Sequence, residues 1–178
     1  MLRIVGTLSH LPLDVGRALW VLEDGRRRTK AVIGDLDHEV LDWAPPDDGN
    51  AISTLLYHIA ATEMEWVCLD LEGRREFPPA VRTLLAAGVR DGMGRLVRVD
   101  GESILSHLVR LDGTRDYLVD AYSAMTPEEF RRPRRGTTDE VTPEWVVHHL
   151  LQHEAEHRGQ IVRLRVMARG IYRVTSKD

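Results

Sequence analysis

Two histidines four residues apart are the most chemically informative feature of the sequence. His153 and His157 lie in a stretch with helical periodicity over residues 142–169. At about 100° per residue, both fall in the middle of an apolar sector about 80° wide. The rest of that sector consists of Val146, Leu150, Ile161, Leu164 and Ala168. This spacing stacks the two imidazoles one turn apart, so both can bind a single metal ion.

A metal ion would explain why two imidazoles share one buried face. Two charged rings would repel each other, and two neutral rings would each need partners for two nitrogens. A metal ion satisfies one nitrogen of each ring at once. Spacing alone leaves the ordinary alternative open, in which each ring is a core histidine with a polar neighbour.

A third ligand has to come from another helix, because two ligands rarely hold a metal ion tightly. His58 is the best candidate. It lies in a second predicted helix, on the flank of an apolar face formed by Ile52, Leu55, Ile59 and Trp66. A flank position can face inward in a bundle, where each helix packs against two neighbours. The alternative for His58 is a boundary histidine without a ligand.

The other histidines and the one cysteine carry weaker signals. His149 projects near the rim of the apolar sector and is interpreted as a surface residue, with a supporting or substrate-contacting role left open. His148 points away from that sector. Cys68 is interpreted as a packing residue, and no serine or cysteine is marked as a covalent nucleophile. We expect surface or cap positions for His10, His38 and His107.

The elements that would position these residues are mostly helical. Apolar periodicity predicts four long helices, over residues 13–36, 50–69, 102–124 and 142–169. Residues 73–101 are rich in Gly, Pro and Arg and offer at most a short helix over 81–87. The fold class predicted is therefore all-α, a four-helix bundle, formed by residues 1–178 as a single domain.

Helix ends are marked by residue types with known end preferences. Asn50 and Thr142 are predicted N-caps, and Pro143 suits the first helical position. Thr126 and Glu129 have the spacing of a capping box, which predicts a short helix there. Gly170 is the predicted stop of the last helix.

Three segments together resemble the DinB-like family. They are residues 42–46 with 50–53, residues 55–63, and residues 147–161, which read Val-His-His-Leu-Leu-Gln-His-Glu-Ala-Glu-His-Arg-Gly-Gln-Ile. The last is the most specific. The resemblance covers most of the chain except residues 73–101.

The resemblance implies a DinB-like four-helix bundle, often a homodimer, with one divalent metal ion bound by His58, His153 and His157. In relatives the ion is commonly zinc, nickel or iron. Characterised relatives use a low-molecular-weight thiol such as mycothiol or bacillithiol. The function implied is a metal-dependent transferase acting on a small-molecule substrate, because a metal with open positions lowers the pKa of a bound thiol.

Other functions remain open at this stage. A bound water would instead make the protein a metal-dependent hydrolase, and a closed site would make the metal purely structural. Glu154 and His157 also form the Glu-x-x-His unit of di-iron bundles, although the helix over 50–69 supplies Glu63 and Glu65 without a matching histidine. Glu154 follows His153 as the general base does in helical zinc proteases, but the third ligand of that pattern is not visible.

Composition excludes several classes of partner. The net charge of −4 gives no global attraction to nucleic acid, and no apolar run approaches the roughly 20 residues needed to cross a membrane. The single cysteine and the poor match to a signal peptide favour the cytoplasm. The arginine-rich run over 131–135 is interpreted as a solvated loop, with recognition of an anionic group as the alternative.

Overall fold

The computed structural model describes residues 2–47 and 49–175, with side chains up to residue 170. Helices dominate the described part of the chain. The elements are α1 (Leu13–Ile33), α2 (His38–Asp42), α3 (Ile52–Met64), a π-helix (Glu65–Leu71), α4 (Pro79–Leu84), α5 (Ile104–Ser123), α6 (Pro127–Phe130), β1 (Arg134–Arg135), β2 (Glu140–Val141) and α7 (Pro143–Thr175).

The four long helices form a bundle around one apolar core. α1 packs between α5 and α7, and α3 packs between the same two helices on the opposite side. Leu19, Leu56, Leu111 and Ile161 represent the four helices in this core, each fully or almost fully buried. The predicted all-α four-helix bundle is therefore confirmed.

Contacts along the helices show their relative directions. α3 and α7 are antiparallel, because His58 contacts His153 while Trp66, in the π-helix that continues α3, contacts the earlier Trp145. α3 and α5 are parallel, as are α1 and α7. A parallel pair requires a connection that runs back along the bundle. Residues 72–103 provide that crossover between α3 and α5.

Two predicted helix ends are wrong and two are confirmed. α3 begins at Ile52 with Ala51 at its N-cap and no side-chain cap, so Asn50 does not cap it. α7 continues through Gly170 to Thr175. The Thr126–Glu129 capping box is present with both of its hydrogen bonds. The hydroxyl of Thr142 accepts a hydrogen bond from the amide of Trp145, as an N-cap does.

The arginine-rich run is more ordered than the predicted loop. Arg134 and Arg135 form β1, which pairs antiparallel with β2. The Arg134 guanidinium also donates to the carbonyl of Leu71 at 2.9 Å. Arg131 forms an ion pair with Asp14 at 2.5 Å. Through these contacts, the arginines attach this segment to the rest of the bundle. Within the described residues, no helix is long and apolar enough to cross a membrane.

Candidate metal centre

Three imidazoles from α3 and α7 converge on one point inside the bundle. The Nε2 atom of His153 lies 3.1 Å from Nε2 of His58 and 3.1 Å from Nε2 of His157. The ligand nitrogens of all three rings lie within 4.8 Å of one another. The antiparallel packing of α3 against α7 brings His58 to the pair on α7, as the sequence predicts.

The opposite nitrogens of two of these rings have polar partners that orient them. Nδ1 of His157 lies 2.9 Å from Oε1 of Gln160, and Nδ1 of His58 lies 3.3 Å from the hydroxyl of Thr62. Because an amide oxygen only accepts, this contact favours the His157 tautomer with its proton on Nδ1 and a lone pair at Nε2. A hydrogen bond to the other ring nitrogen is the usual support of a metal-binding histidine.

The environment keeps two of the rings neutral. Burial lowers the pKa of His58 to about 4, and the charges of His157 and Arg90 act in the same direction. Burial lowers the pKa of His153 to about 3, with further contributions from the neighbouring imidazoles. Neutral imidazole is the form that binds a metal ion.

The donor set fits a divalent transition metal. Nitrogens bound to zinc at about 2.0–2.1 Å in a tetrahedral site lie roughly 3.3 Å apart. The two Nε2 separations of 3.1 Å are close to this value. Imidazole donors suit zinc, nickel, copper and iron. The residues present therefore fit such an ion, with positions left for other ligands.

An aromatic cluster of Trp66, Trp145 and His149 adjoins the histidines. His149 stacks on Trp145 with a centroid distance of 5.1 Å and an interplanar angle of 6°, and Trp66 meets the edge of both rings. The His149 ring lies 6.0 Å from that of His153. Burial lowers the pKa of His149. His149 is therefore part of a partly buried aromatic surface beside the histidines, and the predicted surface position is only partly right.

A second polar cluster, the interhelical ion-pair network, lies in the same core. It consists of Arg26 from α1, Glu63 from α3, Arg115 from α5 and Glu154 from α7, each with a side chain no more than 4% exposed. Each arginine contacts both carboxylates, at distances of 2.6–3.2 Å. The two positive and two negative charges therefore balance within the core, and Arg115 also pairs with the more exposed Glu23 at 3.1 Å.

The network removes two carboxylates from any role as metal ligand or base. Burial acts to raise the pKa of Glu154, but the adjacent Arg26 and Arg115 outweigh it and hold the pKa below its usual value. Glu63 accepts hydrogen bonds from the same two arginines. Neither carboxylate belongs to the convergent histidine group. This geometry gives no support to the di-iron or protease-like alternatives.

Sequence reasoning missed Arg26 and Arg115. The signal that could have found them is their register. Arg26 follows Leu22 by four residues in the apolar stripe of α1, and Arg115 follows Leu111 by four residues in that of α5. A charge in such a stripe requires a buried partner, and Glu154 is the candidate on α7.

His107 is the clearest misprediction among the single residues. It is fully buried on α5 rather than at the surface or a cap. Its Nδ1 lies 3.2 Å from the Arg110 guanidinium, and its Nε2 has no hydrogen-bond partner in the described structure. Burial and the Arg110 charge lower its pKa to about 4. His10 and His38 are exposed, as predicted, and Cys68 is a buried free thiol whose pKa burial raises to about 11.

Fold and site together define a class of all-helical bundle proteins in which histidines from two antiparallel helices form a potential metal centre. A family model described as the DinB superfamily matches residues 22–161, and the chain belongs to this superfamily. The matched segment contains all three convergent histidines and the whole ion-pair network. None of the curated proteins compared with the chain matches it.

Proposed function

We propose that this protein is a metal-dependent transferase that uses a low-molecular-weight thiol, with a zinc, nickel or iron ion held by His58, His153 and His157. The observation that carries the proposal is the convergence of three Nε2 atoms, two of them on rings oriented through Nδ1. The family resemblance supplies the thiol, with mycothiol and bacillithiol as the first candidates.

Partial exposure of two of the histidines favours catalysis over a purely structural metal. His153 and His157 are only partly buried, unlike the ligands of a closed structural site. A cleft of about 580 Å³ reaches Gln160, whose side chain contacts His157, and extends past Arg163 and Met167 of α7. The three histidines themselves do not line this cleft, so Gln160 is its link to the candidate metal centre. Among the described residues, the convergent group offers three ligands and no fourth.

The chain's own residues would orient and shield the reacting groups. Gln160 and Thr62 hold two imidazoles with their lone pairs toward the common point. The aromatic cluster supplies an apolar surface next to His153 for the carbon skeleton of a substrate. When bound, the ion supplies Lewis acidity that makes a coordinated thiol or water easier to deprotonate.

Metal content is the first test. Elemental analysis of tag-free protein should find about one divalent ion per chain, and the variants His58→Ala, His153→Ala and His157→Ala should lose it. His148→Ala is the matched control, because His148 is an exposed histidine on the same helix. Full retention of the metal by all three ligand variants would rule out the proposed site.

Reactivity is the second test. The metal-loaded protein should consume a generic electrophile at a rate that depends on mycothiol or bacillithiol. Turnover of ester or amide substrates without any thiol would instead identify a metal-dependent hydrolase. A metal ion that resists removal and admits no external ligand, with no turnover in either assay, would identify a structural metal.

We further infer from the resemblance that residues 1–178 act as a single domain in a cytoplasmic homodimer. Light scattering coupled to size-exclusion chromatography should then give a mass close to twice the 20.2 kDa of one chain. A mass of one chain at micromolar concentration would contradict the dimer.

A further inference from the structure

A second cleft, of about 480 Å³, lies between the start of α3 and the crossover segment, and its lining is basic. Three arginines line it: Arg90, Arg95 and Arg98. Among the described residues that line it, Asp91 is the one acid. The arginines of this cleft lie in residues 73–101, which the family resemblance does not cover, although the family model spans them.

A short hairpin presents Arg90 to this cleft. Arg90 forms an antiparallel bridge with Leu96. The Asp91 carboxylate closes the turn by accepting hydrogen bonds from the amides of Met93 and Arg95, both at 2.9 Å. Hydrogen bonds within this turn therefore fix the backbone that carries Arg90.

The hairpin is attached close to the histidine cluster. The amide of Val99 donates to the hydroxyl of Thr54 at 3.4 Å. Thr54 lines the cleft and precedes His58 by one helical turn, about 6 Å along the axis. The cleft and the candidate metal centre are therefore neighbours.

Arg90 is the arginine of this cleft whose charge is least compensated. Its Nη1 donates to the carbonyl of Gly94 at 2.8 Å, which uses one of five donors. Burial raises the pKa of the Glu65 carboxyl and the charge of Arg90 opposes this shift, so Glu65 is a neighbour of Arg90. Among described residues, however, no carboxylate oxygen forms a salt bridge with Arg90, whereas Arg95 pairs with Asp91 at 3.0 Å. A guanidinium that lies beside a cleft and has unused N–H donors can donate two parallel hydrogen bonds to the oxygens of a carboxylate or phosphate group.

We propose that Arg90 binds a carboxylate or phosphate group of a small anionic molecule whose other end reaches the histidine cluster. The Thr54 hydroxyl accepts from Val99 and keeps its own proton, so it can donate to the same anion. The claim that the other end of this molecule reaches the histidine cluster rests on the proposed function. The anion site itself depends only on Arg90 and its hairpin.

The test is a titration with acetate and with inorganic phosphate, followed by NMR signals of arginine Nε–H groups and backbone amides. In metal-free protein, at least one probe should shift the Arg90 signals with a dissociation constant on the order of millimolar. Arg90→Gln should weaken that binding at least about fivefold. Arg82→Gln is the control, because Arg82 is an exposed arginine on α4 paired with Glu76.

The outcomes separate this inference from the proposed function. Zinc binding without any Arg90-dependent anion binding would overturn the inference and leave the metal site standing. Arg90-dependent anion binding in a protein that holds no metal would support the inference and contradict the proposed function. Equal binding by Arg90→Gln and the parent protein would also overturn it, provided that circular dichroism shows both to be folded.

Discussion

The ion-pair network and the histidine cluster lie in one bundle and draw on consecutive residues of α7, yet they are opposite in character. In the network, Arg26, Arg115 and two buried carboxylates pair with one another, and Arg115 also reaches Glu23. In the cluster, three imidazole nitrogens converge on a common point, and no carboxylate of the described structure belongs to that group. Buried opposite charges that pair with one another hold helices together, whereas a convergent set of neutral donors can bind an external cation.

One helix serves both clusters because consecutive helical residues point about 100° apart. His153 faces α3 and its imidazole meets that of His58. Glu154 turns toward α1 and α5, where it meets Arg26 and Arg115. A rotation or shift of α7 would therefore disturb both clusters at once.

The largest expected effect on stability comes from removing one carboxylate of the ion-pair network. Glu154→Ala leaves two guanidinium groups in the core with one carboxylate between them. Removal of one member of a buried ion pair typically costs about 3–5 kcal/mol. Urea denaturation of metal-free protein should show a loss of that size in the free energy of unfolding. A loss below about 1 kcal/mol would show that water or rearrangement replaces the network.

Removing all four charges together is the control for that prediction. The combined variant Arg26→Met, Glu63→Leu, Arg115→Met and Glu154→Leu buries no charge at these positions. Apolar replacements of a complete buried network are often neutral or stabilising. This variant should therefore be more stable than Glu154→Ala, although it carries three more substitutions.

His107 sharpens the comparison, because it is a buried imidazole outside both clusters. The unfolded chain takes up a proton on this residue below a pKa of about 6.5, but the folded chain does so only below about 4. Stability should therefore fall as the pH decreases from 6.5 to 4, by up to about 3 kcal/mol from this residue alone. In metal-free His107→Leu, the decrease measured by urea denaturation should be smaller by that amount. An unchanged pH dependence would contradict a neutral His107.

The histidine cluster was predictable from the sequence, whereas the ion-pair network left a signal only for its buried arginines and not for how they pair. His153 and His157 share a helix, so their relation follows from helical geometry. The prediction of His58 as the third ligand required only an antiparallel neighbouring helix and the family resemblance. Arg26 and Glu154 are 128 residues apart, and the partner of a buried charge depends on which helices are adjacent. Periodicity within one helix carries no information on that choice.

The burial of His107 had a signal that the prediction of a surface position overlooked, because His107 precedes Leu111 by four residues and shares its stripe on α5. The crossover over residues 72–103 adds core residues such as Val81 and Leu85 that no long periodic pattern marks. Gly170 failed as a stop signal because glycine does not end a helix by itself. The conversion of the end of α3 into a π-helix has no evident signal in the sequence.

A smaller effect is expected from the residues that orient the cluster. Gln160→Leu removes the partner of Nδ1 on His157 and should weaken zinc binding roughly 10- to 100-fold. Thr62→Val should have less effect, since its contact with His58 is longer at 3.3 Å. Competition with a chromogenic chelator measures both affinities. Gln152→Leu, an exposed glutamine on the same helix, is the matched control and should bind zinc like the parent protein.

The smallest effect on the metal-free fold should come from the centre of the cluster itself. His153→Ala removes a ring whose Nε2 lies 3.1 Å from the Nε2 atoms of His58 and His157, contacts whose hydrogen-bonding roles depend on the tautomers, so about one ordinary hydrogen bond is lost. Its free energy of unfolding without metal should change by less than about 1 kcal/mol, far less than for Glu154→Ala. Zinc at 100 times its dissociation constant stabilises a folded protein by about 2.7 kcal/mol, and His153→Ala should lose this gain. A large loss of stability without metal would mean that His153 holds the bundle together as Glu154 does, and the contrast between the two clusters would fail.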